Sequence, residues 1–234
     1  MNVDGYNREY NIARNKAVTG CFAMFALFFG ITCLPLFFEG SKDLMMTGYL
    51  YPLLFGLEFL AIAPLYYLYF YKREGMGRGN FHFGIFIILF LCILLIQFLL
   101  PFVTAGYQTE NWSASQMRLD RHVFWLNAIV MILLVPAYEE MVFRGCLFSV
   151  FKYWLGNNNY AAAVAVSVVF SACHLQYIDW RSFLILFLVS LMLVIGRIKT
   201  SGILMPIILH ALMNAVVIGI QYVSFLQYSG EALP

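Results

Sequence analysis

Three short clusters of ionisable, amide or aromatic side chains interrupt otherwise apolar stretches in the C-terminal half of the sequence. Each cluster spaces its groups about one helical turn apart. The clusters are Glu139-Glu140-x-x-x-Arg144, Phe170-x-x-x-His174 and His210-x-x-x-Asn214. Carboxylates and imidazoles can take a proton from water, while imidazoles and carboxamides can donate hydrogen bonds to an oxyanion. Together these residue types fit hydrolysis of an amide bond by an activated water.

The two adjacent glutamates are predicted to have different roles. Glu140 and Arg144 lie four residues apart and can pair on one helix face, so Glu140 is expected to stay ionised and to set geometry. Glu139 points about 100° away from Glu140 around a helix and has no adjacent cation. Because desolvation makes a carboxylate more basic, Glu139 is the predicted general base.

The histidines and the asparagine complete a predicted hydrolytic set. His174 is expected to help bind and deprotonate the water, and then to hand a proton to the leaving amine. His210 and Asn214, one turn apart, are expected to donate hydrogen bonds to the oxyanion, each worth about 3 kcal/mol. Such a set can hydrolyse a peptide bond without a covalent intermediate.

In this order on successive apolar segments, the clusters resemble the CPBP family, which comprises CAAX-type prenyl endopeptidases and bacteriocin-processing or immunity-associated (Abi) proteins. The resemblance covers about residues 123–225. It implies a helical, glutamate-dependent intramembrane endopeptidase that acts on a prenylated CAAX tail or a small bacteriocin- or pheromone-like peptide. The catalytic positions that it implies are Glu139, His174, His210 and Asn214. The supporting positions that it implies are Glu140, Arg144 and Phe170.

Each cluster also has a purely structural interpretation. The acidic cluster could be a buried ion-pair network, and the histidines and the asparagine could only link helices by hydrogen bonds. Phe170 could be plain packing. Against the first of these, two carboxylates with one cation leave a surplus negative charge that helix ordering does not require. The catalytic interpretation is therefore favoured.

Two other functions stay open. Glu139, His174 and His210 could bind zinc as a two-histidine, one-carboxylate set, although the sequence has no HExxH helix. A non-catalytic membrane immunity protein or a transporter could use the same cluster as a proton relay or peptide-binding site. No pair of matched broken helices suggests the inverted repeats of a transporter. The leading hypothesis is a metal-independent endopeptidase without a cofactor.

Composition indicates that these groups are positioned by membrane helices. Of the 234 residues, 62% are hydrophobic and 11% are charged, whereas soluble domains carry about 25% charged residues. The net charge of +2 includes no basic stripe, so nucleic acid is not an expected partner. The five cysteines lack CxxC spacing, which argues against a disulfide framework or a zinc ribbon. The expected partners are the lipid bilayer and a peptide or lipidated-peptide substrate.

The pattern predicts an all-α, polytopic transmembrane bundle of about seven spans, since a spanning helix needs about 20 apolar residues. The predicted spans are 18–38, 47–71, 81–104, 123–148, 159–178, 182–196 and 203–225. Spans four, five and seven would carry the site. The whole chain, 1–234, is predicted to be one membrane domain, with N-terminal spans in 1–122 and the CPBP-like core in 123–228.

The distribution of cations predicts a cell-membrane protein with a cytoplasmic N-terminus. The segments assigned to the cytoplasm contain Arg8, Arg14, Lys16, Lys72, Arg73, Arg78, Arg144, Lys152, Arg197 and Lys199. The opposite segments contain Lys42, Arg118, Arg121 and Arg181.

The predicted spans leave a mismatch in depth. Glu139 and His210 lie within about ten residues of their cytoplasmic helix ends, but His174 lies about fifteen residues along span five, several Å deeper. Tilt, a late start of span five or a surface helix at 148–158 would remove the mismatch. Glu58, in the middle of span two and outside the motifs, is expected to pair within the bundle or to line an access path.

Overall fold

The structure, a computed structural model, describes residues 3–104 and 110–229, and every regular element in these ranges is a helix. The α-helices are α1 (Val3–Thr32), α2 (Ser41–Thr47), α3 (Leu50–Tyr69), α4 (Phe83–Val103), α5 (Asn111–Met117), α6 (Arg121–Glu140), α7 (Phe148–Trp154), α8 (Asn159–Ala172), α9 (Trp180–Thr200) and α10 (Leu204–Ser229). A 3₁₀ turn, Leu34–Leu36, follows α1, and a π-helical segment, Met141–Leu147, joins α6 to α7. The predicted all-α architecture is confirmed.

Six helical stretches in the described ranges are long and apolar enough to cross a membrane. They are Arg14–Leu36, Leu50–Tyr69, Phe83–Pro101, Arg121–Trp154, Trp180–Thr200 and Leu204–Gln227. These stretches correspond to predicted spans one to four, six and seven, so the polytopic bundle is confirmed. The division of the chain near residue 122 stays a prediction.

The predicted fifth span, 159–178, is wrong in its extent. α8 has 14 residues and ends at Ala172, so its length of about 21 Å is less than the ~30 Å of a hydrocarbon core. Residues 173–179 form turns and irregular backbone before Asp179 caps α9 by accepting a hydrogen bond from the Arg181 N–H. Neither glycine nor proline marks the break in the sequence.

Several cations that the sequence assigned to loops lie within helices, among them Arg144, Arg197 and Lys199. Arg144 is fully buried in the π-helical segment, and Arg197 and Lys199 lie in the last turn of α9. Arg197 Nε donates a 2.7 Å hydrogen bond to the carbonyl oxygen of Arg144, and its guanidinium lies over the Phe148 ring. Since Arg144 and Arg197 have structural partners, they say little about orientation. The cytoplasmic N-terminus stays a prediction.

The continuous helix from Arg121 to Trp154 lies at the centre of the bundle. α3 and α10 pack against α6, and α1 packs against the π-helical segment. A π-helix, with hydrogen bonds between residues five apart, is rare, and π-helical segments often occur at functional sites. Here the segment begins directly after Glu139 and Glu140.

Gly145 allows α3 to approach the π-helical segment closely. A Cβ atom at Gly145 would lie 2.5 Å from the hydroxyl oxygen of Tyr66. This hydroxyl is buried and donates a 2.7 Å hydrogen bond to the Met76 carbonyl oxygen, so it cannot move without losing that bond.

Gly145→Ala is therefore expected to destabilise the protein by about 1–3 kcal/mol through overpacking. The measurement is the thermal unfolding midpoint of the purified variant in detergent. Gly219→Ala is the matched control, because a Cβ atom there meets nothing within 4 Å. Equal midpoints for the two variants would contradict the close packing.

Candidate active site

Glu140 lies at the centre of a buried charged cluster. Its Oε1 atom accepts a 2.8 Å hydrogen bond from Arg144 Nη1 and lies 2.8 Å from His210 Nδ1. Glu140 and Arg144 are 0% exposed, and His210 is 4% exposed. The predicted pairing of Glu140 with Arg144 is therefore present, and it includes His210 as a third member.

Two serines that the sequence analysis missed extend this cluster. Arg144 Nη2 donates a 2.9 Å hydrogen bond to Ser190 Oγ on α9, and Ser190 Oγ donates in turn to Ser167 Oγ on α8, also at 2.9 Å. Both serines are fully buried. A serine in an apolar helix is only a weak signal of a functional site, because many such residues only link helices by hydrogen bonds.

The Phe170 ring connects the three motifs. The Arg144 guanidinium lies 4.3 Å above the ring centroid, within the range of a cation–π contact. The ring centroid lies 4.6 Å from that of His174 and 6.2 Å from that of His210. The aromatic position therefore contacts a charged group and both imidazoles, which is more than apolar packing.

His174 follows α8 rather than lying on it, yet it remains beside Phe170. Its Nδ1 atom lies 2.8 Å from the Phe170 carbonyl oxygen. Because a carbonyl oxygen can only accept, Nδ1 carries the hydrogen, and the lone pair of the neutral ring is on Nε2. The backbone thus fixes an imidazole tautomer whose Nε2 can accept a proton.

Glu139 differs from its neighbour in its surroundings. Its Oε2 atom is buried, makes no hydrogen bond within the described residues and lies 4.0 Å from His210 Nε2. The residue as a whole is 9% exposed, whereas Glu140 is not exposed at all. Glu140 Oε2 is likewise buried without a hydrogen bond in the described residues. The two carboxylates differ because Glu140 Oε1 is bonded to Arg144 and His210, whereas Glu139 lies 4.0 Å from His210.

Asn214 is the predicted site residue whose hydrogen bond lies apart from the charged cluster. Its Nδ2 atom donates a 2.8 Å hydrogen bond to the Met131 carbonyl oxygen on α6. Met131 precedes Glu139 by eight residues, or about 12 Å along a helix. An amide nitrogen carries two hydrogens, so one of them is not used in this bond.

The predicted mismatch in depth does not keep His174 away from the other site residues. The Phe170 ring centroid lies 4.6 Å from that of His174 and 6.2 Å from that of His210, and His210 Nε2 lies 4.0 Å from Glu139 Oε2. His174 therefore lies near His210 and Glu139, although it follows the end of α8. The surface helix at 148–158 stays a prediction.

The described residues contain no group of three or more His, Cys, Asp or Glu side chains arranged to hold a metal ion. His210 Nδ1 faces Glu140, and His174 Nδ1 faces a carbonyl oxygen. Each imidazole therefore has only Nε2 left for other chemistry.

A family model, type II CAAX prenyl endopeptidase Rce1-like, matches residues 121–216. This range begins at the start of α6 and contains all three clusters. This match supports the resemblance of residues 121–216 to the CPBP/CAAX protease family. The Rce1-like segment supplies every residue of the charged cluster, while α1, α3 and α4 lie outside it.

An Escherichia coli protein described as an uncharacterized 24.3 kDa protein is 34% identical over 103 residues. The alignment covers 42% of this chain and 44% of that relative, so the chain spans less than half the length of the curated relative it matches. No solved structure matches the chain.

Proposed function

We propose that this protein is an intramembrane endopeptidase that hydrolyses a peptide bond with a water activated by Glu139 and His174. The observation that carries the proposal is the contrast between the two adjacent carboxylates. Both Oε2 atoms are buried without a hydrogen-bond partner in the described residues. Glu140 Oε1, however, lies 2.8 Å from both Arg144 and His210, while Glu139 Oε2 lies 4.0 Å from His210 Nε2. The Rce1-like match supports CAAX-type protease activity in general.

The charges of the cluster support a role for His210 as an oxyanion donor. Its Nδ1–H faces the Glu140 carboxylate, so Nε2 can also donate only when the ring is an imidazolium. With His210 charged, the two carboxylates balance Arg144 and His210. The surplus negative charge expected from the sequence then disappears, and the imidazolium has its counter-ion within hydrogen-bonding distance.

In the proposed reaction, Glu139 takes a proton from the water as the water oxygen attacks the carbonyl carbon of the substrate. The new C–O bond forms while the carbonyl electron pair moves to the oxygen, which accepts hydrogen bonds from His210 Nε2 and Asn214. The oxyanion electron pair then re-forms the C=O bond and the C–N bond breaks. The proton that Glu139 took from the water passes to His174 Nε2 and from there to the leaving nitrogen, so Glu139 returns to a carboxylate and His174 to a neutral imidazole.

The substrate is proposed to be a CAAX-type prenylated tail or a small bacteriocin- or pheromone-like peptide. The test is incubation of the purified protein in detergent with fluorogenic peptides in prenylated and unprenylated forms. We expect cleavage of at least one class, and loss of that cleavage in His174→Ala. Binding without cleavage across the panel would favour a non-catalytic immunity protein or a transporter instead.

Catalysis is proposed to be independent of metal, with zinc held by Glu139, His174 and His210 as the alternative. We expect peptide cleavage to persist after dialysis against a strong chelator, because the proposed base is a carboxylate and not a metal-bound hydroxide. The measurement is the cleavage rate before and after dialysis, together with the metal content of the protein. Stoichiometric zinc, with activity lost on its removal and restored on its return, would establish the alternative.

The protein is proposed to lie in the cell membrane with its N-terminus in the cytoplasm. Reporter fusions at each terminus, active on one side of the membrane only, test this orientation. An N-terminal reporter that is active outside would contradict it.

A further inference from the structure

Glu58 is a buried carboxyl group that the proposed reaction does not use. It lies on α3, outside the Rce1-like segment, and is 1% exposed. Its Oε1 atom lies 2.7 Å from Thr32 Oγ1 at the end of α1, and the Tyr138 hydroxyl on α6 donates a hydrogen bond to it. The carboxyl group therefore connects three helices.

The hydrogen bonds of Thr32 indicate where a proton lies. Thr32 Oγ1 also lies 3.0 Å from the Phe28 carbonyl oxygen, which can only accept. A threonine hydroxyl has one hydrogen and cannot fully satisfy both oxygens. Both contacts are satisfied when Thr32 donates to Phe28 and Glu58 donates its own hydrogen to Thr32.

A neutral carboxyl also fits the surroundings of Glu58. No ion pair links Glu58 to a cation within the described residues. An unpaired carboxylate at membrane depth is costly, whereas a protonated carboxyl with two hydroxyl partners has its hydrogen-bonding needs met.

Tyr138 links Glu58 to the candidate active site. It directly precedes Glu139 on α6, is 1% exposed, and its ring centroid lies 6.1 Å from that of Phe28 on α1. A side chain so enclosed has little freedom to rotate. The backbone at residue 138 is therefore held between α1 and α3, and the direction of the next side chain is held with it.

We propose that Glu58, as a neutral carboxyl group bonded to Thr32 and Tyr138, is a positioning residue that holds α1 and α3 against the turn of α6 carrying Glu139. This inference rests on the proposed function. In this role, α1 and α3 help to hold the geometry of the site, although its reacting groups all lie in the Rce1-like segment.

The test compares Glu58→Gln with Glu58→Leu in the full-length protein. Glutamine is neutral and can donate to Thr32 and accept from Tyr138, so it should keep kcat within about twofold of the wild-type value. Leucine keeps the bulk and removes both bonds, so kcat should fall on the order of tenfold or more, as for a displaced catalytic group, while KM changes little. Tyr138→Phe should behave like Glu58→Leu, and Glu39→Gln, at an exposed carboxylate, is the control.

Thermal unfolding in detergent separates this inference from the proposed function. If no peptide is cleaved even by the wild type, Glu58→Gln should still unfold near the wild-type midpoint and Glu58→Leu well below it. If the wild type does cleave and Glu58→Gln is as impaired as Glu58→Leu, a charge is needed at this position. That result would overturn this inference but not the proposed function. Equal kcat values and equal unfolding midpoints for the wild type, Glu58→Gln and Glu58→Leu would also overturn it.

Discussion

Glu139→Gln is expected to remove peptide cleavage while leaving the fold intact or slightly more stable. The amide keeps the size of the side chain but cannot take a proton from water, and the loss of a general base lowers kcat by about 10²–10⁴-fold. Stability should not fall, because Arg144 and His210 keep Glu140 as their hydrogen-bonded counter-ion, while the change removes a buried carboxylate whose Oε2 has no hydrogen bond in the described residues. The measurements are kcat and the thermal unfolding midpoint in the same detergent.

Glu140→Gln is the matched control for this experiment. It makes the same chemical change one residue away, but it removes the counter-charge from Arg144 and His210, both nearly fully buried. We therefore expect Glu140→Gln to lower the unfolding midpoint, in contrast to Glu139→Gln. Two variants with the same profile of activity and stability would contradict the division of roles between the adjacent carboxylates.

Arg144→Ala is expected to impair folding as well as activity. Removing one partner of a buried ion pair leaves the other charge uncompensated, at a cost of about 3–5 kcal/mol. The change also removes the hydrogen bond to Ser190 and the contact with the Phe170 ring. The measurement is the yield of folded protein and its thermal unfolding midpoint.

Arg181→Ala provides the comparison for Arg144→Ala. Arg181 pairs with Asp179 at 3.3 Å, but both side chains are 21% exposed. Partly exposed ion pairs are worth about 1 kcal/mol or less, so this variant should unfold near the wild-type midpoint. Wild-type yield and stability for Arg144→Ala would show that the buried pairing does not support the fold.

The pairing of Glu140 with Arg144 could be predicted from the sequence because both residues lie on one continuous helix. Four-residue spacing on such a helix brings side chains together whatever the rest of the fold does. The helical bundle could be predicted for a related reason, since apolar runs of sufficient length must be helices in a bilayer. Both the ion pair and the helical bundle therefore follow from the order of residues along the chain.

The contacts of His210 with Glu140, and of Arg144 with Ser190, could not be predicted in the same way. Each joins residues more than 40 positions apart, and their geometry depends on how the helices pack. The end of α8 at Ala172 was missed because an apolar sequence without glycine or proline gives no local signal for a break. The Asn214 hydrogen bond to Met131 depends on packing of α10 against α6, and its predicted role at the oxyanion stays a prediction.

Mass spectrometry of the products from a farnesylated CAAX-type peptide and its plain counterpart tests the central proposal most directly. Purified wild-type protein and Glu139→Gln, each in lipid nanodiscs, are incubated with the peptides in heavy-oxygen water. We predict cleavage of one internal peptide bond by the wild type, with heavy oxygen in the new carboxylate, and no such product from Glu139→Gln. Peptides that bind the wild type but stay intact, or equal cleavage by the variant, would contradict a water activated by Glu139.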